Sequence, residues 1–233
     1  MKRFLFFVAM SLMVVAADAQ HKDWAKFGRF VEANKTIAER PDAVFMGNSI
    51  TEQWAEFDPE FFQKNNFVGR GISGQTTAEM LVRFRQDVIG LNPRAVVIMS
   101  GTNDVALNNG YIAPENIVGN IISMCELAEA NGIKVLLCSI PPCAGFRWRK
   151  EVQPAETIRQ LNKMIKEYAE ANKIAYVDYH SALTTAEGGL PEKWSKDGCH
   201  VNLECYRTIM EPLVCDAINK VLKIKKNPRQ AMK

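Results

Sequence analysis

The chain has 233 residues, of which 47% are hydrophobic and 24% are charged, a balance typical of a globular protein. With 29 Lys and Arg against 26 Asp and Glu, its formal net charge is only +3, and no basic stripe that could bind nucleic acid precedes the C-terminal end. This composition excludes a disordered chain, a collagen-like fibre and a multi-span membrane protein.

The N-terminal segment has the three parts of a secretory signal peptide. Lys2 and Arg3 precede an apolar run over residues 4–17, and Ala17-Asp18-Ala19 forms an A-x-A cleavage site. The run is shorter than the roughly 20 residues that span a bilayer, although an uncleaved anchor is the alternative. We expect residues 1–19 to be removed and residues 20–233 to form one periplasmic or extracellular domain that is not stably inserted in a membrane.

Short apolar runs and amphipathic stretches alternate along the rest of the chain. The apolar runs are Ala43 to Gly47, Asn66 to Val68, Ala95 to Ser100, Lys134 to Ile140 and Ile174 to Val177. Unbroken runs are typical of strands buried on both faces of a parallel sheet. Helices are predicted from near Thr76, from about Pro114 to Ala130, from Pro154, and from about Asn202 to Leu222. The alternation predicts an open α/β sheet with helices on both faces.

Small and polar residues follow the predicted strands, at the edge where open α/β sheets bind ligands. These segments are Gly47-Asn48-Ser49-Ile50, Gly69 to Gly74, Gly101-Thr102-Asn103-Asp104, Pro141-Pro142 and, after a further loop, Asp197-Gly198-Cys199-His200. Because the carboxyl ends of parallel strands meet at one edge, the segments are expected to converge there.

Ser49 is the candidate nucleophile of this edge. A strand-to-helix turn would expose its hydroxyl at a helix N-terminus, where unpaired N–H groups favour developing negative charge. A helix-capping role is the alternative for Ser49, and Ser73 and Ser100 are competing nucleophiles. Any of them needs a neighbouring base to take its proton.

Histidine is the usual base for such a serine, with a carboxylate holding its other ring nitrogen. The chain has three histidines. His200 follows Asp197 by three residues, a spacing that lets the carboxylate curl back onto the imidazole. His180, two residues after Asp178, stays open as the alternative base, whereas His21 lies beside the expected cleavage site.

Attack of a serine on an ester produces an oxyanion, which needs N–H donors aimed at it beforehand. The candidate donors are the Ser49 N–H, the Gly71 N–H, since glycine permits close backbone approach, and the side-chain amide of Asn103. A turn-forming role is the alternative for Asn103.

These residues together resemble the motif blocks of the SGNH (GDSL-type) hydrolase family, in the family's order. The blocks are Gly47-Asn48-Ser49, Gly71, Gly101-Thr102-Asn103-Asp104 and Asp197-x-x-His200. The resemblance implies a flavodoxin-like three-layer αβα sandwich with a mainly parallel five-stranded sheet. It also implies a serine esterase that uses no metal or cofactor.

The same resemblance assigns roles to individual residues. It implies that Ser49 is the nucleophile, that His200 is the base and that Asp197 orients it. It further implies an oxyanion hole formed by the Ser49 N–H, Gly71 and Asn103. The chain departs from the family pattern at Asn48, where Asp is usual, and at Val201 and Cys205, where Pro and Gly are frequent. We expect these departures to affect local packing and not the reaction.

The substrate is less well defined by the sequence. Aromatic and basic residues lie in loops at the active edge: Phe146, Arg147, Trp148, Arg149, Lys150 and Trp194. Exposed aromatics there could stack on sugar rings, although packed lid residues are the alternative. The first expectation is a small-molecule or glycan ester, cleaved as an O-acetyl ester of a carbohydrate through an acyl-enzyme. A lysophospholipase or short-chain thioesterase comes second, and a catalytically inactive carbohydrate-binding module third.

Overall fold

The computed structural model describes residues 23–224. The expected signal peptide at residues 1–19, its cleavage site and His21 lie outside the described residues. Within the described part, no helix is both long enough and apolar enough to cross a bilayer.

Five strands form one parallel sheet, as predicted, and the structure places them in the order β2-β1-β3-β4-β5. The strands are β1 (Ala43–Gly47), β2 (Phe67–Gly71), β3 (Ala95–Met99), β4 (Lys134–Cys138) and β5 (Ala175–Val177). The strands β1, β3 and β4 consist largely of apolar residues, which lie buried between the two helical layers.

The second strand differs from the sequence prediction, which ended it at Val68. β2 continues through Gly69 and Arg70 to Gly71, which pairs in register with Gly47 of β1. Glycine weakens an isolated strand pattern, so the sequence predicted a loop here. Pairing with β1 extends the strand despite this low propensity.

Helices cover both faces of the sheet, which confirms the three-layer α/β architecture. They are α1 (Val31–Lys35), α2 (Ser49–Phe57), α3 (Pro59–Lys64), α4 (Thr77–Asp87), α5 (Thr102–Val105), α6 (Pro114–Ala130), α7 (Pro154–Ala171), α8 (Tyr179–Leu183), α9 (Leu203–Cys205) and α10 (Glu211–Leu222). A π-helical segment, Tyr206–Met210, joins α9 to α10. As predicted, α4 begins after Thr76, whose N–H donates to the Glu79 carboxylate in a capping box.

Alternate strand residues divide the core into two layers. Val44 and Met46 point into the layer formed with α4, α6 and α7. Phe45 points into the opposite layer, where Trp54 of α2 stacks on Tyr206 with ring centroids 5.0 Å apart. The segment that connects β1 to β2 therefore crosses one face of the sheet, and the segment that connects β3 to β4 crosses the opposite face. Ligands bind at such a reversal, so the ends of β1 and β3 mark where the site is expected.

Candidate active site

Ser49, His200 and Asp197 form a continuous hydrogen-bonded chain at the ends of the strands. The Nε2 atom of His200 lies 2.8 Å from Ser49 Oγ, and its Nδ1 atom lies 2.7 Å from Asp197 Oδ2. A carboxylate only accepts hydrogen bonds, so Nδ1 carries the ring proton and donates a hydrogen bond to Asp197. In the neutral ring, Nε2 is then free to accept the hydroxyl proton of Ser49.

The carboxylate of Asp197 is held by the loop that it belongs to. Its Oδ1 atom accepts from the backbone N–H groups of Cys199 at 2.9 Å and His200 at 2.8 Å. The Ser195 hydroxyl donates to the same oxygen at 3.1 Å. Burial by itself raises the pKa of Asp197, but these N–H donors and the His200 ring outweigh it and lower the pKa to about 2.

Ser49 is the first residue of α2, directly after the turn that leaves β1. The Oδ1 atom of Asn48 caps this helix by accepting from the Ile50 N–H at 3.3 Å. A neutral amide therefore performs the capping that this position needs, although the family usually has Asp there. Gly47 lets α2 approach the strand, because a Cβ on it would lie 1.9 Å from Thr51 Oγ1.

Gly71, a predicted oxyanion donor, is not among the residues that line the pocket at Ser49. It is the last residue of β2, and a Cβ on it would lie 2.1 Å from the Glu52 nitrogen, so its backbone packs against the first turn of α2. Gly74, three residues further on, lines the pocket at Ser49 instead. Its positive φ of 82° is easily adopted by glycine. Gly74 belongs to the segment predicted to follow the second strand, but it was not among the predicted oxyanion donors.

Asn103 lies beside Ser49, on the first turn of α5. It is buried, and its Nδ2 atom donates to the carbonyl of Gln75 at 2.9 Å. The amide has two N–H bonds, so one remains to point at a ligand in the pocket. Asn103 also joins the loop after β3 to the loop that carries Gly74.

The pocket at Ser49 is small and open, with a volume of about 350 Å³. Most of the residues that line it have polar side chains, and Trp148 is its one large aromatic side chain. The lining consists of Ser49, Gln53, Ser73, Gly74, Asn103, Asn108, Trp148 and His200. The Trp148 ring lies 6.2 Å from the His200 ring, between centroids, and its Nε1 atom donates to Asn108 Oδ1 at 3.4 Å.

The competing nucleophiles and the alternative base have other environments. Ser73 lines the pocket, but its hydroxyl donates to Glu52 and has no histidine partner among residues 23–224. Ser100 is buried at the end of β3. His180 lies on α8 and is not part of the pocket lining, and the neighbouring Asp178 caps that helix by accepting from the Ser181 N–H at 2.9 Å.

The loop aromatics and cations considered for substrate binding separate into different environments. Phe146 is buried in the core, and Trp194 packs against the opposite core layer under the Lys193 ammonium. Arg147 donates to the carbonyl of Lys196. Of the three aromatics, Trp148 alone lines the pocket at Ser49. The cations Arg149 and Lys150 are likewise absent from that lining.

The segment of the chain that matches a protein-family model includes this site. A model of the GDSL-like lipase/acylhydrolase family matches residues 45–208, a span that contains Ser49, Asn103, Asp197 and His200. The chain belongs to the GDSL-like lipase/acylhydrolase family. The resemblance inferred from the motif blocks is thereby confirmed.

Individual proteins of known structure or sequence are also similar to this acylhydrolase-family chain. The solved structure of a candidate acylhydrolase from Bacteroides fragilis is 46% identical, with a TM-score of 0.83 over 86% of this chain and 99% of that one. The esterase TesA of Pseudomonas aeruginosa is 30% identical over 62% of this chain. The lipoprotein YqeF of Bacillus subtilis is 31% identical over 59%. The matched regions span 65% of TesA and 57% of YqeF, less than two thirds of either protein.

The low pKa of Asp197 predicts how stability depends on pH. Because this pKa is lower in the folded protein, the carboxylate contributes stability above about pH 4, and the contribution disappears as pH falls through about 2. Wild type is expected to exceed Asp197→Asn in free energy of unfolding at about pH 5, and the difference is expected to shrink steadily toward about pH 2.5. Urea denaturation of both proteins across this range measures it. A difference that stays constant with pH would contradict the prediction.

Proposed function

We propose that the protein is a serine ester hydrolase in which Ser49 is the nucleophile, His200 the general base and Asp197 the residue that orients His200. The observation that carries this proposal is the chain of contacts from Ser49 Oγ through the His200 ring to Asp197, at 2.8 and 2.7 Å. A serine, a histidine in the correct tautomer and an ionised carboxylate are the three groups that acyl transfer through serine requires.

In the first half of the proposed reaction, Ser49 Oγ attacks the carbonyl carbon of the ester while its proton passes to His200 Nε2. The resulting imidazolium is stabilised by the Asp197 carboxylate, which stays ionised. When the tetrahedral intermediate collapses, the ester C–O bond breaks, and His200 gives its proton to the departing alcohol. The acyl group remains on Ser49.

In the second half, water replaces the alcohol. His200 takes a proton from the water, whose oxygen attacks the acyl carbon of the acyl-enzyme. Collapse of the second intermediate breaks the bond to Ser49 Oγ and returns the proton to it. The acid is released, and the serine and neutral histidine are restored for another cycle.

Three N–H donors are proposed to hold the oxyanion in both intermediates. The Ser49 N–H has no acceptor within its own helix, because it is the first residue of α2. The second donor is the free N–H bond of the Asn103 amide. The third is the Gly74 N–H, which takes the role first given to Gly71: Gly74 lines the pocket, and its N–H has no acceptor within residues 23–224.

The dimensions of the pocket favour a short acyl group, and we propose O-acetyl esters of carbohydrate as the substrates. A long acyl chain needs a continuous apolar channel, whereas the side chains that line this pocket are of polar types apart from Trp148. The open mouth leaves room for a bulky, hydrated alcohol such as a sugar. These features favour an acetylesterase over a lysophospholipase.

We also propose that the protein acts outside the cytoplasm. The support is the signal-peptide pattern of residues 1–19, together with the similarity to a lipoprotein. Acetylated glycans outside the cell would be accessible to an exported esterase.

Replacing the nucleophile tests the reaction. Ser49→Ala is expected to lower kcat for 4-nitrophenyl acetate by at least about 10³-fold, since acyl transfer loses its attacking group. Ser73→Ala, which removes the other hydroxyl of the pocket, serves as the matched control and is expected to retain most activity. Hydrolysis by Ser49→Ala at the wild-type rate would reject Ser49 as the nucleophile, and no hydrolysis by either the wild type or the variant would leave the binding module.

Removing a side-chain donor tests the proposed oxyanion hole. Asn103→Ala is expected to lower kcat by about 10²–10³-fold with little change in KM, because the lost hydrogen bond forms mainly in the transition state. Gln53→Ala removes a different amide from the same pocket and is expected to have a much smaller effect on kcat. Equal losses in the two variants would argue against a role for Asn103 in holding the oxyanion.

A panel of esters tests the substrate class. Acetate release from acetylated oligosaccharides is expected to exceed fatty-acid release from lysophospholipids in kcat/KM, since the pocket offers no apolar channel. The same preparation of Ser49→Ala measures the background. A preference for the long-chain lipids would overturn the carbohydrate assignment while leaving the esterase assignment intact.

A further inference from the structure

A second and larger cavity, which we call the aromatic groove, adjoins the catalytic pocket. Its volume is about 680 Å³, and its lining includes Trp24, Lys26, Glu79, Asn109, Tyr111 and Ile112. None of the catalytic residues belongs to the lining. The chemistry proposed above therefore does not account for this groove.

Two aromatic rings in this groove are unusually open to solvent. Trp24 is 59% exposed and Tyr111 is 80% exposed. Neither side chain makes a hydrogen bond or a ring contact with any residue in the range 23–224. Packing of the core thus does not explain them. Exposed aromatic rings beside a concave surface are typical of binding sites.

The polar groups of the groove are suited to an uncharged ligand. Lys26 contributes a cation, whereas Glu79 and the buried Asp104 contribute carboxylates, so the lining does not attract an anion. The Glu79 carboxylate is already engaged, because it accepts from the Thr76 N–H at 2.8 Å and from Asn109 Nδ2 at 2.7 Å. The Lys26 ammonium has no ion-pair partner among residues 23–224 and is free to donate hydrogen bonds.

The groove and the pocket at Ser49 are lined by neighbouring segments of the chain. Gly74 and Asn108 line the pocket, whereas Thr76 and Asn109, close to them in sequence, line the groove. Asn108 Nδ2 donates to the Gly74 carbonyl at 3.1 Å and ties these two segments into one ridge. A ligand that lies in the groove and passes over this ridge arrives at Ser49.

We propose that the aromatic groove is a glycan-binding subsite, in which Trp24 and Tyr111 stack on sugar rings of an uncharged oligosaccharide while one of its acetyl groups lies at Ser49. The inference rests on the proposed esterase function and extends it. A sugar ring has an apolar face for the aromatic rings, and its hydroxyl groups stay in water or bond to Lys26 and Asn109. An acyl chain would need an enclosed apolar channel, which this open groove does not offer.

The test compares a long substrate with a short one in the full-length protein. The substrates are an acetylated xylo-oligosaccharide, which is an uncharged glycan, and 4-nitrophenyl acetate, which is too small to extend into the groove. Trp24→Ala and Tyr111→Ala are each expected to lower kcat/KM for the glycan by about 5- to 10-fold, mainly through KM. The loss for the glycan is expected to exceed the loss for 4-nitrophenyl acetate at least fivefold.

Phe57→Ala is the matched control, because Phe57 is 46% exposed and lines neither cavity. It is expected to give the same ratio of the two activities as wild type. Equal losses on both substrates in Trp24→Ala and Tyr111→Ala would indicate a structural role and overturn the subsite. Losses confined to 4-nitrophenyl decanoate would show an acyl-binding groove and overturn it as well.

Binding measurements separate this inference from the catalytic proposal. Ser49→Ala is titrated with the unmodified xylo-oligosaccharide in a calorimeter, and the titration is repeated with Trp24→Ala added to that variant. Binding that the second substitution weakens at least fivefold supports the subsite even if the wild-type protein hydrolyses no ester. Wild-type esterase activity without any glycan binding would overturn the subsite and leave the esterase proposal in place.

Discussion

A buried guanidinium, that of Arg83 on α4, joins the parts of the fold on which the site depends. Its Nη2 atom donates to the carbonyls of Gly47 at 3.1 Å and Arg70 at 2.9 Å, near the ends of β1 and β2. Its Nε atom donates to the side-chain oxygen of Gln75, and the backbone carbonyl of Gln75 accepts from the Asn103 side chain. One cation thus links the two strand ends to the loop that carries Gly74 and to the proposed oxyanion donor.

Such a cation is costly to bury, and the fold compensates for it. Burial lowers the pKa of Arg83, while Asp87, paired with it at 3.0 Å, opposes that shift. Each hydrogen bond that the Arg83 guanidinium donates offsets part of the cost of removing it from water. Removing one partner of a buried ion pair typically costs about 3–5 kcal/mol of stability. The ends of β1 and β2 are therefore held in a single arrangement, which catalysis by fixed donors requires.

The site combines this rigid side with an open one. On the rigid side, strand ends and helix starts hold Ser49, Asn103 and Gly74. On the open side, the loop of Asp197 and His200 and the Trp148 ring border the solvent. The small size and open mouth of the pocket are the basis for the proposed short acyl groups on large alcohols. The adjoining aromatic groove extends the same surface, so one edge of the sheet would supply both the proposed chemistry and the proposed recognition.

Features that depend on neighbouring residues were predictable from the amino-acid sequence. Apolar runs predicted the buried strands, the Thr76 and Glu79 pair predicted the start of α4, and the spacing of Asp197 and His200 predicted their contact, because each pattern acts within a few residues. Features that depend on contacts between distant segments became visible in the folded protein. Pairing with β1 carried β2 on to Gly71 and brought Gly74 to the pocket in its place. Likewise, residues far apart in the chain line the aromatic groove, and no local pattern encodes their proximity.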